Sequence, residues 1–91
     1  DAAAAVLAAV PAGASVVSDV GLMSYLVDSH QVYWIGNKNP DPDCVLIDRV
    51  AGGTPAEWGN VIDIARKEHP LTEYAMTFEA GGYELACRSD D

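Results

Sequence analysis

The chain has 91 residues, enough for one domain with a thin core, because a domain of this size buries only about 60–65% of its unfolded surface. Hydrophobic residues make up 49% of it, too many for a disordered chain. Five Lys or Arg stand against fourteen Asp or Glu, a net charge of -9 that argues against nucleic acid and anionic lipid as partners, since both require clustered cations.

Residues 2–10 read as a helix of Ala and Leu, strong helix formers, stopped by Pro11-Ala12-Gly13. This run is far shorter than the roughly 18–20 apolar residues that cross a bilayer. It also lacks the basic flank of a signal peptide. With Asp1 first and no initiator Met, the sequence reads as a piece of a larger protein. Residues 14–18 form a short β-branched strand, and Ser18 or Asp19 is a good N-cap for a helix over residues 20–27. Within that helix Leu22, Tyr25 and Leu26 recur at helical spacing. After His30-Gln31, residues 32–35 (Val-Tyr-Trp-Ile) make a second strand. Residues 36–43 are a polar loop stiffened by Pro40 and Pro42. The continuous apolar run Cys44-Val45-Leu46-Ile47 suits a central strand buried on both faces.

Ala51-Gly52-Gly53 is a loop, and Thr54-Pro55-Ala56-Glu57 carries three helix-start signals: an N-cap Thr, a Pro at the first position and a capping-box Glu. Trp58, Val61, Ile62 and Ala65 predict the buried stripe of that helix, Arg66 and Lys67 complement its dipole, and Pro70 ends it. Tyr74, Met76 and Phe78 alternate along a strand. Ala80-Gly81-Gly82 turns the chain, and Tyr83, Leu85 and Cys87 alternate on the return strand, giving a β-hairpin. The order α-β-α-β-β-α-β-β predicts an α/β fold, a single soluble domain over residues 1–91. Its sheet is expected to be small and mainly parallel, in the order 2-1-3-4 with the last strand antiparallel, and to carry helices on both faces.

Val-Pro-Ala-Gly-Ala-Ser-Val-Val-Ser-Asp at residues 10–19, Val-Tyr-Trp-Ile at 32–35 and Asp-Cys-Val-Leu-Ile-Asp at 43–48 form a pattern. It resembles the C-terminal soluble region of the polytopic bacterial membrane proteins called domain of unknown function 2079. These are relatives of the membrane-embedded glycosyltransferases that use lipid-linked sugars. The matching positions are Pro11, Gly13, Val16, Tyr33, Asp43, Val45, Asp48, Tyr83, Leu85 and Arg88. Cys44 replaces the family's usual aromatic residue, and Asp19-Val20 stands where Asn-Asn often follows the first strand. The resemblance implies an extracytoplasmic location at a bacterial cell membrane and a membrane domain on the N-terminal side. It implies no catalytic residue in this segment, because the transferase carboxylate belongs to loops near the first membrane helices.

Motifs that carry chemistry are sparse. Ala51-Gly52-Gly53-Thr54-Pro55 lacks the Gly-Lys-Ser/Thr ending of a phosphate loop, and no G-x-G-x-x-G follows a strand, so no nucleotide cofactor is expected. Asp41 and Asp43, between prolines, lack the ligand number and spacing of a calcium loop and read as a stiff solvated loop. His30 and His69 lack a neighbouring nucleophile motif, and His69 fits a helix-dipole partner. Trp34 and Trp58 could stack a sugar, although core packing is the simpler reading for both. The positional candidate comes from topology. Open parallel sheets bind ligands at the carboxyl ends of strands where the winding reverses. With order 2-1-3-4, that crevice lies between Ser18-Asp19 and Asp48-Arg49.

Cys44 opens the third strand and Cys87 closes the last, level with each other at the edge opposite that crevice. If the last strand lies outside the fourth, the two are about 9–10 Å apart, beyond the roughly 7 Å between Cα atoms that a disulfide spans. If it inserts between the third and fourth, they are neighbours. A tight Gly-Gly hairpin places the last strand most simply outside, which predicts two separate thiols; the absence of a C-x-x-C motif leaves zinc without its usual ligands. The expected function is a non-catalytic extracytoplasmic domain that contacts its parent's membrane domain, another subunit or a glycan. The alternatives are a self-sufficient small enzyme using Asp19, Asp48 and Arg49, and a cytosolic interaction module.

Overall fold

The computed structural model describes residues 2–19, 30–34, 40–50 and 54–89. Their elements are α1 (Ala2–Ala9), β1 (Val16–Ser18), β2 (Val32–Trp34), β3 (Cys44–Asp48), a 3-10 turn (Ala56–Trp58), α2 (Val61–Glu68), β4 (Tyr74–Ala80) and β5 (Tyr83–Arg88). The helix expected over residues 20–27 lies outside the described residues.

β3 is the centre of the fold because all five of its residues are buried, as the unbroken apolar run requires. Val16, Cys44, Leu46, Leu85 and Cys87 point to one face, where Val6 and Val10 of the α1 segment cover them. Val17, Val45, Ile47 and Ala86 point to the other, under Val61, Ile64 and Ala65 of α2. The fold is thus α/β with a helix on each face of one mixed sheet.

The strand order is β2-β1-β3-β5-β4, not 2-1-3-4 with β5 outermost. β1 pairs in parallel with β2 and β3, whereas β5 pairs antiparallel with both β3 and β4. The expectation of a mainly parallel sheet therefore fails, and the reason is burial. From Glu84 to Cys87 every residue of β5 is buried, while β4 alternates half-buried and exposed residues. A strand covered on both faces belongs inside the sheet and a half-exposed one at its edge. Gly81 and Gly82, with φ of 60° and 88°, close a two-residue hairpin whose positive φ values at both central positions suit a type I′ turn. That turn requires β4 and β5 to be neighbours but leaves open which of them meets β3. β4 is blunted as an edge by a bulge at Thr77, between the paired residues Met76 and Phe78.

The insertion overturns the two-thiol expectation. Cys44 and Cys87 face each other in the β3–β5 ladder, with Cα atoms 4.0 Å apart, and are joined in a disulfide.

The start of α2 also differs from expectation. Thr54-Pro55 leads only into the 3-10 turn, which makes no side-chain cap hydrogen bond and ends at Gly59 with φ 87°. The helix begins one residue after Asn60. The Asn60 side chain accepts from the backbone N–H of Asp63, and the Asp63 carboxylate accepts from that of Asn60, a complete capping box. Glu84 of β5, itself buried, accepts from the N–H of Val61 at 2.9 Å and places a carboxylate at the positive end of the helix dipole. The buried residues of α2 are Val61, Ile64 and Ala65. Ile62 and Trp58 are only partly buried and pack at the margin of that cluster. Lys67 Nζ lies 5.2 Å from the Trp58 ring centroid, a cation–π contact. Asn60→Ala should cost about 1 kcal/mol in urea unfolding, whereas Thr54→Ala should cost no cap energy, since Thr54 Oγ1 has no partner among the described residues and makes no cap hydrogen bond to the 3-10 turn. Equal losses for the two variants would return the helix start to Thr54.

Candidate ligand site at the carboxyl ends of the parallel strands

β1 is the strand from which the parallel part of the sheet winds both ways, to β2 on one side and β3 on the other. Its carboxyl end and that of β3 are adjacent, with Ser18 in register with Leu46 and Asp48 two residues farther along. Asp19 is only 1% exposed, and its Oδ2 accepts from the backbone N–H of Asp48 at 3.0 Å, tying the two strand ends together. Its second oxygen, Oδ1, is buried and has no hydrogen-bond partner among the described residues. Burial pushes the Asp19 carboxyl above the ordinary carboxylate range, and the nearby Asp48 charge adds to that. The N–H of Asp48 pulls the other way without cancelling it. Asp48 is also buried, and its Oδ1 accepts from Val50 N–H at 2.9 Å, an Asx turn that bends the chain out of β3.

Of the four residues expected at this crevice, Asp19 and Asp48 meet. Ser18 is buried beside them, but its Oγ donates to the carbonyl of Asp19. Arg49 turns away: its backbone N–H donates to Gly82 O at 2.7 Å, and its Nη1 donates to Gly59 O in the segment before α2. The side chain of Trp34 lies outside the described residues, and Trp58 packs half-buried against the core cluster that α2 covers.

The opposite edge of the sheet holds a polar cluster that sequence spacing did not reveal. Asp41 Oδ1 lies 2.8 Å from His69 Nδ1, and Asp41 Oδ2 accepts from Thr72 Oγ1 at 2.5 Å. Tyr74 Oη donates to Pro42 O at 2.6 Å. Asp43 and Ser15 exchange side-chain and backbone hydrogen bonds at 2.8 and 2.9 Å. Asp41 and Asp43 are exposed, as a solvated loop requires, but their side chains also clamp this segment to the rest of the fold. His69 caps the C-terminus of α2, where a dipole partner was expected, and is buried as Asp41's partner as well. His30 Nδ1 sits 2.8 Å from Ala14 O at the same edge, so both histidines lie away from Ser18. Two open depressions also lie there. One, of ≈ 280 Å³, is lined by Pro11, Gly13, Asp43, Cys44, Cys87 and Arg88; the other is bordered by Arg66, Thr72, Glu73 and Tyr74.

The hydrogen bonds from Thr72 and His69 hold the Asp41 carboxyl below its ordinary value of 3.8. A depressed acid contributes stability that is complete above the unfolded-state value and is lost as pH falls through the folded-state value. Melting temperature followed downward from pH 7 should therefore drop below about pH 4, and it should drop less in Asp41→Asn. An identical acid limb in that variant would remove the clamp from the account of acid sensitivity.

Comparison of the chain with protein-family models, curated proteins and solved structures returns no match.

Proposed function

We propose that this chain is a non-catalytic extracytoplasmic domain of a polytopic bacterial membrane protein, accessory to a glycosyltransferase that uses lipid-linked sugars. The observation that carries the reading is the Cys44–Cys87 disulfide between the two central strands. Structural disulfides persist in oxidising compartments and are rare in the cytosol of mesophiles. The acidic balance of the chain and its resemblance at Pro11, Gly13, Asp43, Val45, Asp48 and Arg88 point the same way. On this reading its partners are the membrane domain of its own parent, another subunit, or an acceptor glycan. The alternative of a self-sufficient enzyme draws on the raised Asp19 carboxyl but loses Arg49, whose guanidinium is engaged by Gly59 O.

The test uses Leu71, which is 95% exposed. With Leu71→Cys in the full-length parent, a membrane-impermeant maleimide should label intact cells, because Cys44 and Cys87 are bonded to each other. Labelling that appears only after lysis would place the domain in the cytosol and overturn the proposal. Reading the coding sequence upstream of Asp1 for apolar spans of about twenty residues tests the parent independently.

A further inference from the structure

The depression beside Arg66 has a chemistry that the accessory role does not use. It measures ≈ 580 Å³ and is lined by Arg66, Pro70, Thr72, Glu73, Tyr74 and Ser89, a size within the roughly 300–1,000 Å³ of small-molecule pockets. Its wall is held in place by the fold. Thr72 Oγ1 donates to Asp41 Oδ2, Tyr74 Oη donates to Pro42 O at 2.6 Å, and the Ser89 N–H donates to Glu73 O at 3.0 Å. Three polar groups of the lining remain uncommitted. The Arg66 guanidinium, the Glu73 carboxylate and the Ser89 hydroxyl have no partner among the described residues. Arg66 and Glu73 thus border one space with opposite charges and do not pair with each other.

We propose that this depression binds a free apolar α-amino acid as its zwitterion. The ligand carboxylate meets the Arg66 guanidinium, whose planar fork matches a carboxylate with two parallel hydrogen bonds. The ligand ammonium donates to the Glu73 carboxylate and the Ser89 hydroxyl, both acceptors. The ligand side chain lies along Pro70 and the half-buried ring of Tyr74, the apolar part of the wall. Charge decides the class. An anion would gain from Arg66 but be opposed by Glu73 and by the net charge of -9. A simple cation would be opposed by Arg66 inside the site. A zwitterion satisfies both groups and, being neutral overall, is not repelled by the rest of the surface. A sugar reaches the same groups, but its hydroxyls form bonds with a charge on one side only, which are weaker than those between two ions. The inference is independent of the compartment and of the parent protein.

The test is an amide chemical-shift titration of the 91-residue chain in about 150 mM NaCl, which screens diffuse surface attraction. L-Leucine or L-phenylalanine should move the amide resonances of Arg66, Thr72, Glu73 and Ser89 to saturation. N-Acetyl-L-leucine lacks the ammonium and L-leucinamide lacks the carboxylate, so each should bind at least about tenfold more weakly than L-leucine. Arg66 and Glu73 are exposed, so their variants keep the core intact. Arg66→Met should weaken L-leucine by a similar factor, and Glu73→Gln should weaken L-leucine while leaving N-acetyl-L-leucine unchanged. The exposed-site controls Glu57→Gln and Glu79→Gln should change nothing. Absence of saturable shifts with both amino acids, equal affinity for the two blocked forms, unchanged affinity in Arg66→Met, or tighter binding of D-glucose than of L-leucine would each overturn the proposal.

Discussion

Replacing both Cys44 and Cys87 by alanine is expected to lower unfolding stability by about 4 kcal/mol, the value the chain-entropy account assigns to opening a loop of this length. The bond spans a sequence separation of 43. For a domain whose total stability is of the order of 5–15 kcal/mol, that loss removes a large share. Its size follows from position as well as length. The bond joins β3 to β5, and β5 alone connects the parallel strands to β4. Urea unfolding of the oxidised protein beside the double-alanine variant provides the measurement. A difference below about 1 kcal/mol would mean that the unfolded chain is already compact or that the ladder gains nothing from the bond.

Leu46→Ala should cost about 2–5 kcal/mol, in the upper part of that range. Leu46 has no exposed surface, lies under α1, and is flanked in the sheet by β1 and β5. Strands hydrogen-bonded on both sides cannot close into the space a missing isobutyl group leaves, so the cavity persists and adds to the lost transfer energy. Met76→Ala on edge strand β4 offers the contrast: Met76 is only partly buried, and less than half the Leu46 effect is expected. The midpoint of urea unfolding at constant slope reads both. Equal losses at the two positions would mean that β3 is not the more constrained strand.

Local chemistry made much of this legible in the sequence. The run from Cys44 to Ile47 announced a strand covered on both faces, and β3 is that strand. Short strands separated by helical spacing pointed to the order 2-1-3, which the parallel ladders reproduce. The order fails where only a long-range choice decides it. A hairpin dictates which strands are neighbours but not which one faces the rest of the sheet. The deciding signal was the consecutive apolar Leu85-Ala86-Cys87, the same two-faced signature as in β3, hidden by the more visible alternation of Tyr83, Leu85 and Cys87. The start of α2 failed for a related reason, since Thr54 to Glu57 and Asn60 to Asp63 both satisfy capping chemistry, and the positive φ of Gly59 lets only the second continue as helix. Topology brought Asp19 and Asp48 to one place. It could not aim Arg49, whose direction depends on a carbonyl ten residues away. The Asp41–His69 clamp joins residues 28 apart and has no local signature.

The position of β5 also has a consequence for the order in which the domain can be assembled. β5 is last of the described strands in sequence, yet it forms the seam between β2-β1-β3 on one side and β4 on the other. A chain that emerges amino end first presents β3 with one ladder unfilled until residues 83–88 arrive, and β4 has no partner before then. Closing that seam brings Cys87 to a residue 43 positions earlier, a non-local contact of the kind that slows folding because loop entropy is lost before the pairing is gained. Removing β5 would divide the sheet into two pieces with no hydrogen bond between them rather than shorten it by one strand. The disulfide cannot form before residues 83–88 have emerged, because Cys87 belongs to the last of the described strands.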